Sequence, residues 1–249
     1  MRTVIFLALM VMVANRITAQ ETDTIRIAPL HEKTPSYSCF IFSAASITYG
    51  VVAKFNNGLH QLDLNVNNEV SKSFKHRTHA EDYLQVAPLI TVYGLDIIGV
   101  KAKHHFGERM FLTTSSYMIM LVSVRTLKKN TSIQRPDESD YLAFPSGHTA
   151  TAFVGAHLLY KEYKDISPWI GFAGYAVSGY TGIMRVVNKR HWVSDVVTGA
   201  GIGVLSVEIS YLLLPIFQNI VGIKDHDKSL IATPVIGRDH FGFGLAYSF

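Results

Sequence analysis

The segments Lys128-Lys-Asn-Thr-Ser-Ile-Gln-Arg135-Pro136, Phe144-Pro-Ser-Gly-His-Thr149 and Arg185-Val-Val-Asn-Lys-Arg-His191-Trp-Val-Ser-Asp195 decide how the rest of the chain is read. They are short polar blocks set into apolar surroundings. Together they offer the cations Lys128, Arg135 and Arg185, the imidazoles of His148 and His191, the carboxylate of Asp195, and Gly147 beside an expected helix start. That is an inventory for gripping a phosphate and transferring it to an imidazole.

In the last block His191 and Asp195 are four apart, so on a helix they share a face. A carboxylate there accepts the Nδ1 proton, leaves Nε2 free to attack, and stabilises a positively charged imidazole product. Arg185 lies six residues upstream, where a loop brings its fork onto phosphate oxygens. In isolation the same residues also read as a helix cap with a surface ion pair. In the middle block Ser146 is a good N-cap for a helix expected over Thr149 to Tyr160, and free amides at a helix start bind anions. Gly147 permits close backbone approach to a ligand. His148 can sit over the same anion and give a proton to a leaving oxygen. A Ser-Gly turn before a core helix is the plain alternative. In the first block Lys128 is a point charge and Arg135, stiffened by Pro136, a bidentate clamp. Juxtamembrane cations meeting lipid headgroups are the alternative, and Lys129 belongs to that class.

Outward from these blocks the chain is a series of apolar runs. Thr34 to Ala53 contains no Asp, Glu, Lys or Arg, long enough to cross a hydrocarbon core as a helix. Leu62 to Phe74 has helical spacing at Val66, Val70 and Phe74 and reads as a surface or interfacial amphipathic helix. Tyr83–Val100, Met110–Val124, Tyr141–Tyr160, Ile166–Met184 and Val196–Phe217 are further apolar runs, interrupted by Asp96 in the first and Glu208 in the last. Small residues four apart, Ser178 with Gly182 and Gly199 with Gly203, let helix backbones approach closely, in a membrane or in a soluble helical core. Several runs are shorter than the roughly 20 residues a span prefers, which keeps a soluble bundle in view. The expectation is an all-α bundle of six main helices, membrane-embedded, over residues 36–217. Asp96 and Glu208 are expected to face the bundle interior and pair with cations.

At the start, Arg2, the apolar run Val4 to Ala14 and Ile17-Thr18-Ala19 read as an export signal over 1–19, or as an uncleaved anchor. Residues 20–35 read as an irregular lead-in. At the end, within a tail over 218–249, Phe241, Phe243, Leu245, Tyr247 and Phe249 alternate with small residues, the period of a strand. One or two strands cannot close a barrel. Composition narrows the class. Of 249 residues 48% are hydrophobic and 17% charged, with a net charge of +4. An average globular protein carries roughly a quarter charged residues. No basic run resembles a nucleic-acid tail, so no nucleic-acid partner is expected. One cysteine, Cys39, excludes an intramolecular disulfide framework and reads as a buried inert thiol. His76 with His79, and the pair His104-His105, read as structural rather than as a metal site.

The three blocks, in this order and spacing, resemble the type-2 phosphatidic acid phosphatase superfamily, which includes vanadium haloperoxidases and bacterial class A acid phosphatases. Its pattern is Lys-x6-Arg-Pro, Pro-Ser-Gly-His and Ser-Arg-x5-His-x3-Asp. Here these stand at Lys128 to Pro136, Pro145 to His148 and Arg185 to Asp195. Met184 departs from it, standing where the family usually has a serine. The resemblance implies His191 as nucleophile, Asp195 as its orienting partner and His148 as general acid. It implies Lys128, Arg135, Ser146, Gly147 and Arg185 as holders of the phosphoryl oxygens, with no metal or other cofactor, since the fixed cations do what a metal would otherwise do.

The expected substrate is a phosphorylated lipid, such as phosphatidate, a prenyl pyrophosphate or lipid A. The expected setting is a bacterial inner membrane with the site facing the periplasm. The basic loops around Lys101, Lys103 and Arg109, and around Lys161 and Lys164, then face the cytoplasm. A soluble periplasmic acid phosphatase is the alternative, with a haloperoxidase behind it. From another class, a membrane phosphate-binding or transport protein without turnover is the competing reading. Two histidines and an orienting acid exceed what mere binding needs.

Overall fold

The computed structural model describes residues 37–73, 78–221, 230–236 and 241–247. Among them are α1 (Tyr37–Phe55), α2 (Asn57–Ser73), α3 (Ala80–Leu84), α4 (Ala87–Ile97), α5 (Phe106–Thr131), α6 (Gly147–Tyr163), α7 (Pro168–Val187) and α8 (Val193–Val221). Two strands, β1 (Leu230–Ile236) and β2 (Phe241–Tyr247), pair antiparallel with Leu230 opposite Tyr247 and Ile236 opposite Phe241. The expected export signal and lead-in lie outside the described residues.

The six apolar runs carry α1, α4, α5, α6, α7 and α8. The run Tyr83–Val100 is not one helix, however. α3 ends at Leu84 and α4 restarts at Ala87, with Pro88 in its first turn. There a missing N–H costs nothing, whereas in a helix running on from α3 it would break the ladder. The amphipathic stretch, as far as Ser73, lies in α2, which starts earlier than its apolar residues suggest; Phe74 lies outside the described residues. The Asn56 side chain accepts from the amides of Gly58 and Leu59 at 2.9 and 3.2 Å, as an N-cap does.

α6 is the central helix. It packs against α7, α8, α5 and α4, and its Ala150, Ala152, Val154 and Ala156 are wholly buried. Small residues let the backbones close up. A Cβ on Gly199 would lie 2.5 Å from the Ser146 carbonyl oxygen, and one on Gly203 2.7 Å from that of Ala150. Ser178 Oγ donates to the Ala152 carbonyl at 2.9 Å. α1 packs on α8 in the same way, since a Cβ on Gly50 would lie 1.6 Å from Thr198 Oγ1.

α1, α5 and α8 are the described helices long and apolar enough to cross a membrane. Only 22% of the apolar window of α1, and the same share in α5, is buried inside the protein. Ile41, Phe55, Met118, Val122, Leu212 and Ile220 are all exposed. A water-soluble bundle does not leave so much contiguous apolar surface uncovered, so this is a membrane bundle. α4, at 11 residues, rises only about 16 Å, roughly half a hydrocarbon core.

The interrupting acids pair with cations. Asp96 bonds Arg109. Glu208 meets His157 at 2.7 Å and Lys161 at 2.9 Å. Arg109 is therefore a buried ion-pair partner, 3% exposed, and not a loop charge. The two basic loops lie at one end of the bundle, joined by a bond from the Lys103 amide to the Glu162 carbonyl at 3.0 Å. Cys39 is half-buried, more open than the buried thiol expected.

Candidate active site

At the other end, the C-termini of α5 and α7 meet the N-termini of α6 and α8. Each polar block sits at one of these helix ends. α5 closes at Ser132 in the left-handed region, φ 47°, which turns the chain into the loop carrying Arg135. α6 opens with Ser146 as N-cap, its Oγ accepting from Thr149 Oγ1 at 2.9 Å and from the Thr149 amide at 3.5 Å. The Ser146 amide donates to the Asp195 carbonyl at 3.0 Å, stitching the middle block to the last. After α7 the chain folds back on itself. Lys189 adopts φ 57°, and the amides of Arg190 and His191 both donate to the Arg185 carbonyl, at 3.0 and 3.2 Å. This turn brings His191 under the arginine that precedes it by six residues.

His191 is 2% exposed. Its Nδ1 lies 2.7 Å from the Ala143 carbonyl oxygen and 3.6 Å from Asp195 Oδ2. A carbonyl oxygen can only accept, so the proton resides on Nδ1 and the Nε2 lone pair is free. The Ala143 carbonyl is the nearer acceptor for Nδ1, and the expected partner Asp195 stands beside it, within reach of the same proton. Asp195 is wholly buried, and its Oδ2 accepts from the Trp192 amide at 2.8 Å. Burial pushes the His191 imidazole down to about 4; the Asp195 carboxylate opposes this, while Lys128 and Arg135 add to it.

The residues expected to grip phosphate carry the positive charge near this imidazole. Lys128 and Arg135 act on it electrostatically, and Lys128 is also coupled to Asp195 and Arg185. Lys128 Nζ donates to the Leu142 carbonyl. Arg135 Nε pairs with Asp140 Oδ1 at 2.6 Å and its Nη1 reaches the Arg190 carbonyl at 3.3 Å. Arg185 is 5% exposed with Nε unpaired. A Cβ on Gly147 would meet nothing nearer than Val124 Cγ1 at 3.9 Å. Protein packing therefore does not require that glycine, and the space in front of the helix start stays open. His148 joins the cluster through Arg185, which acts on it directly. His148 and Arg185 share Asp82 Oδ1, at 3.0 and 3.2 Å, and the Arg185 carbonyl accepts from the His191 amide, so contacts of Arg185 lead to both histidines.

Sequence reasoning missed four participants. Asp82, from α3, places Oδ1 3.0 Å from His148 Nε2 and 3.2 Å from Arg185 Nη1. Glu81, wholly buried, lies 3.6 Å from the same guanidinium and accepts from Asn188 Nδ2. Together with His79 these acids form a group with ligand atoms within 4.8 Å of one another; Arg185 already serves as cation to both carboxylates. Lys54, at the end of α1, and Asp63, in α2, stand behind Asp195. Lys54 Nζ lies 2.8 Å from Asp195 Oδ1, a close ion pair. Met184 is buried in the last turn of α7.

Beside the site a groove of about 380 Å³ runs between α1, α2, α7 and α8. Phe42, Val66, Val70, Ile183, Val187 and Val196 are among the residues lining it. Val187 and Val196 are close in sequence to Arg185 and Asp195.

Residues 91–218 match the family model described as PAP2 superfamily. Over 135 residues the chain is 38% identical to a lipid A 1-phosphatase of Porphyromonas gingivalis, a match spanning 54% of this chain but only 30% of that relative. Two solved structures are also similar. LpxE of Aquifex aeolicus matches at 21% identity over 61% of this chain and 95% of its own, with a TM-score of 0.47. A transmembrane PAP2-type phosphatidylglycerolphosphate phosphatase of Bacillus subtilis matches at 21% identity over 74% and 96%, with a TM-score of 0.44.

Proposed function

From the premise that this chain belongs to the PAP2 superfamily, we propose that it hydrolyses the phosphate of a phosphorylated lipid through a phosphohistidine, without a metal. The observation that carries this reading is the state of His191. It is a buried imidazole whose Nδ1 proton is held by the Ala143 carbonyl at 2.7 Å, so Nε2 keeps its lone pair amid Lys128, Arg135 and Arg185.

In the first step Nε2 attacks phosphorus in line with the leaving oxygen. The N–P bond forms as the P–O bond breaks, and His148 gives its proton to the departing oxygen. Lys128, Arg135, Arg185 and the amides at the start of α6 hold the phosphoryl oxygens as charge spreads over them. Asp195 offers its negative charge to the imidazolium. In the second step water, relieved of a proton by His148, attacks phosphorus, and His191 leaves as the neutral imidazole.

Two observations support a lipid substrate. The apolar groove flanks the site, and α1, α5 and α8 expose apolar surface that only a bilayer covers well. The similarity to a lipid A 1-phosphatase places lipid A beside phosphatidate and prenyl pyrophosphates among the substrates to try. The site belongs, in this reading, to the periplasmic face of an inner membrane.

Phosphate release is measured in mixed micelles from these lipids and from a soluble monoester, with and without a chelator. Lipids turned over in preference to the soluble ester, chelator or not, and loss of turnover in a folded His191→Ala variant are expected. Turnover by His191→Ala at the wild-type rate would exclude this mechanism. Preference for the soluble ester would favour the acid-phosphatase reading.

A further inference from the structure

Lys54 and Asp63 lie outside the stretch that matches the family, residues 91–218. Nothing in the three blocks anticipates them. Yet both are almost fully buried, with side chains 6% and 0% exposed, at the back of the site. Lys54 Nζ lies 2.8 Å from Asp195 Oδ1, donates to Ser194 Oγ at 2.7 Å and stands 3.7 Å from Asp63 Oδ2. Asp63 in turn accepts from the Ser194 amide at 3.0 Å and from Ser194 Oγ at 2.5 Å. The α1–α2 pair thus grips the first turn of α8 through one cation and one anion. The close approach at Gly50 holds α1 in place for this contact.

We infer that Lys54, held by Asp63, is a positioning residue for phosphoryl transfer: it fixes Asp195 by Oδ1 so that Oδ2 and the carboxylate's charge are presented to His191. The inference rests on the phosphohistidine reading above. Its physical basis is charge balance. Asp63, Lys54 and Asp195 together carry one net negative charge, buried behind a neutral imidazole. When Nε2 takes the phosphoryl group the imidazole becomes positive, and that single negative charge is its counter-ion. Without Lys54 two buried carboxylates would face each other with no cation between them. Such pairs do not both stay ionised. One shared proton keeps the net charge at one but moves it: Asp63 keeps the Ser194 amide and hydroxyl as donors, so Asp195 takes the proton and the negative charge sits away from His191. Lys54 faces Asp63 on α2 and Asp195 on α8, and Asp195 in turn faces His191 in the preceding loop and interacts with Lys128 on α5.

The test is Lys54→Met, with its fold checked by size exclusion and thermal unfolding in detergent, assayed beside wild type and His191→Ala. The expected result is a kcat lowered by about 10- to 100-fold at pH 6 with KM changed by less than about three-fold, since the substrate's own contacts are untouched. The deficit is expected to shrink as pH rises and the carboxylates regain their charge, so the acid limb of kcat moves to higher pH. Lys54→Arg, which keeps the cation, is expected to recover part of the rate and restore the wild-type limb. A folded Lys54→Met with wild-type kcat and an unmoved limb would overturn the inference, while inactivity of His191→Ala in the same assay would leave the mechanism standing. Turnover by His191→Ala would instead remove the mechanism itself. Should Lys54→Met not fold, Asp63→Asn decides: a kcat loss of about three-fold or more at unchanged KM supports the inference, and an unchanged kcat overturns it.

Discussion

Burial holds the His191 imidazole down to about 4, and this sets a pH window for the nucleophile. Above about 4 the ring is neutral and Nε2 can attack; as pH falls through that value the ring takes a proton there and the lone pair is lost. Single-turnover phosphoryl transfer should therefore lose its His191 limb near pH 4, and a limb centred near the ordinary histidine value of 6.5 would contradict the assignment. The same depression makes the unfolded chain the better proton acceptor between 6.5 and about 4. Its contribution to stability is thus present above 6.5 and lost as pH falls toward 4. Asp82 gives a second test. Its carboxylate holds Arg185 and His148, so a substrate phosphate must compete for that guanidinium. Asp82→Asn should tighten inhibition by inorganic phosphate about three-fold or more, on the scale of one exposed ion pair; weaker inhibition would mean that Asp82 helps to bind. The blocks were legible because each residue type and spacing carries its own chemistry. The Ala143 carbonyl beside Nδ1 was not, because a backbone acceptor has no side-chain signature. Lys54 and Asp63 were hidden by distance, 140 and 131 residues from Ser194. Two signals marked them in retrospect: the cation ending an otherwise uncharged helix, and an acid on an amphipathic one.

Among the elements, the α6–α8 contact sets the site. Gly199 lies against the Ser146 carbonyl, and an added Cβ at 2.5 Å would strike backbone that cannot rotate away. Gly199→Ala must push the start of α6 off α8, stretching the bond from the Ser146 amide to the Asp195 carbonyl. Overpacking of this kind costs roughly 1–3 kcal/mol. A lower melting temperature in detergent and a kcat reduced about ten-fold or more are expected. Gly94→Ala, where nothing lies within 4 Å, should change neither. Equal behaviour of the two variants would show that the contact is not rigid. The apolar runs made the helices legible, and the small residues four apart announced close approach. The break between α3 and α4 was not read, although Pro88 stood at the place where it falls. A proline in an apolar run reads equally as a kink or as a new start, and only the packing of α3 beneath Arg185 decides which.

For the molecule as a whole, the exposed loop lysines Lys101 and Lys103 lie at the end of the bundle away from Arg135, His148 and His191. Cationic loops favour the cytoplasmic side. In a Cys39→Ser background, single cysteines near Lys103 and near Arg135 should therefore react with an impermeant thiol reagent from opposite faces of the membrane, the latter from the periplasm. Labelling of both from one face would overturn this topology. α1 packs on α8, so the first described helix completes the site formed by the last. This has a bearing on biogenesis. A ribosome feeding this chain into a bilayer delivers Lys54 long before Asp195. Until α8 arrives, that ammonium group lacks a counter-ion it holds in the finished protein. Premature termination between Asp63 and Asp195 leaves Lys54 with Asp63 as counter-ion but without the closer carboxylate of α8, an incomplete ion pair at the lipid boundary. The contact that completes the floor of the site is thus also the last to form as the chain is made.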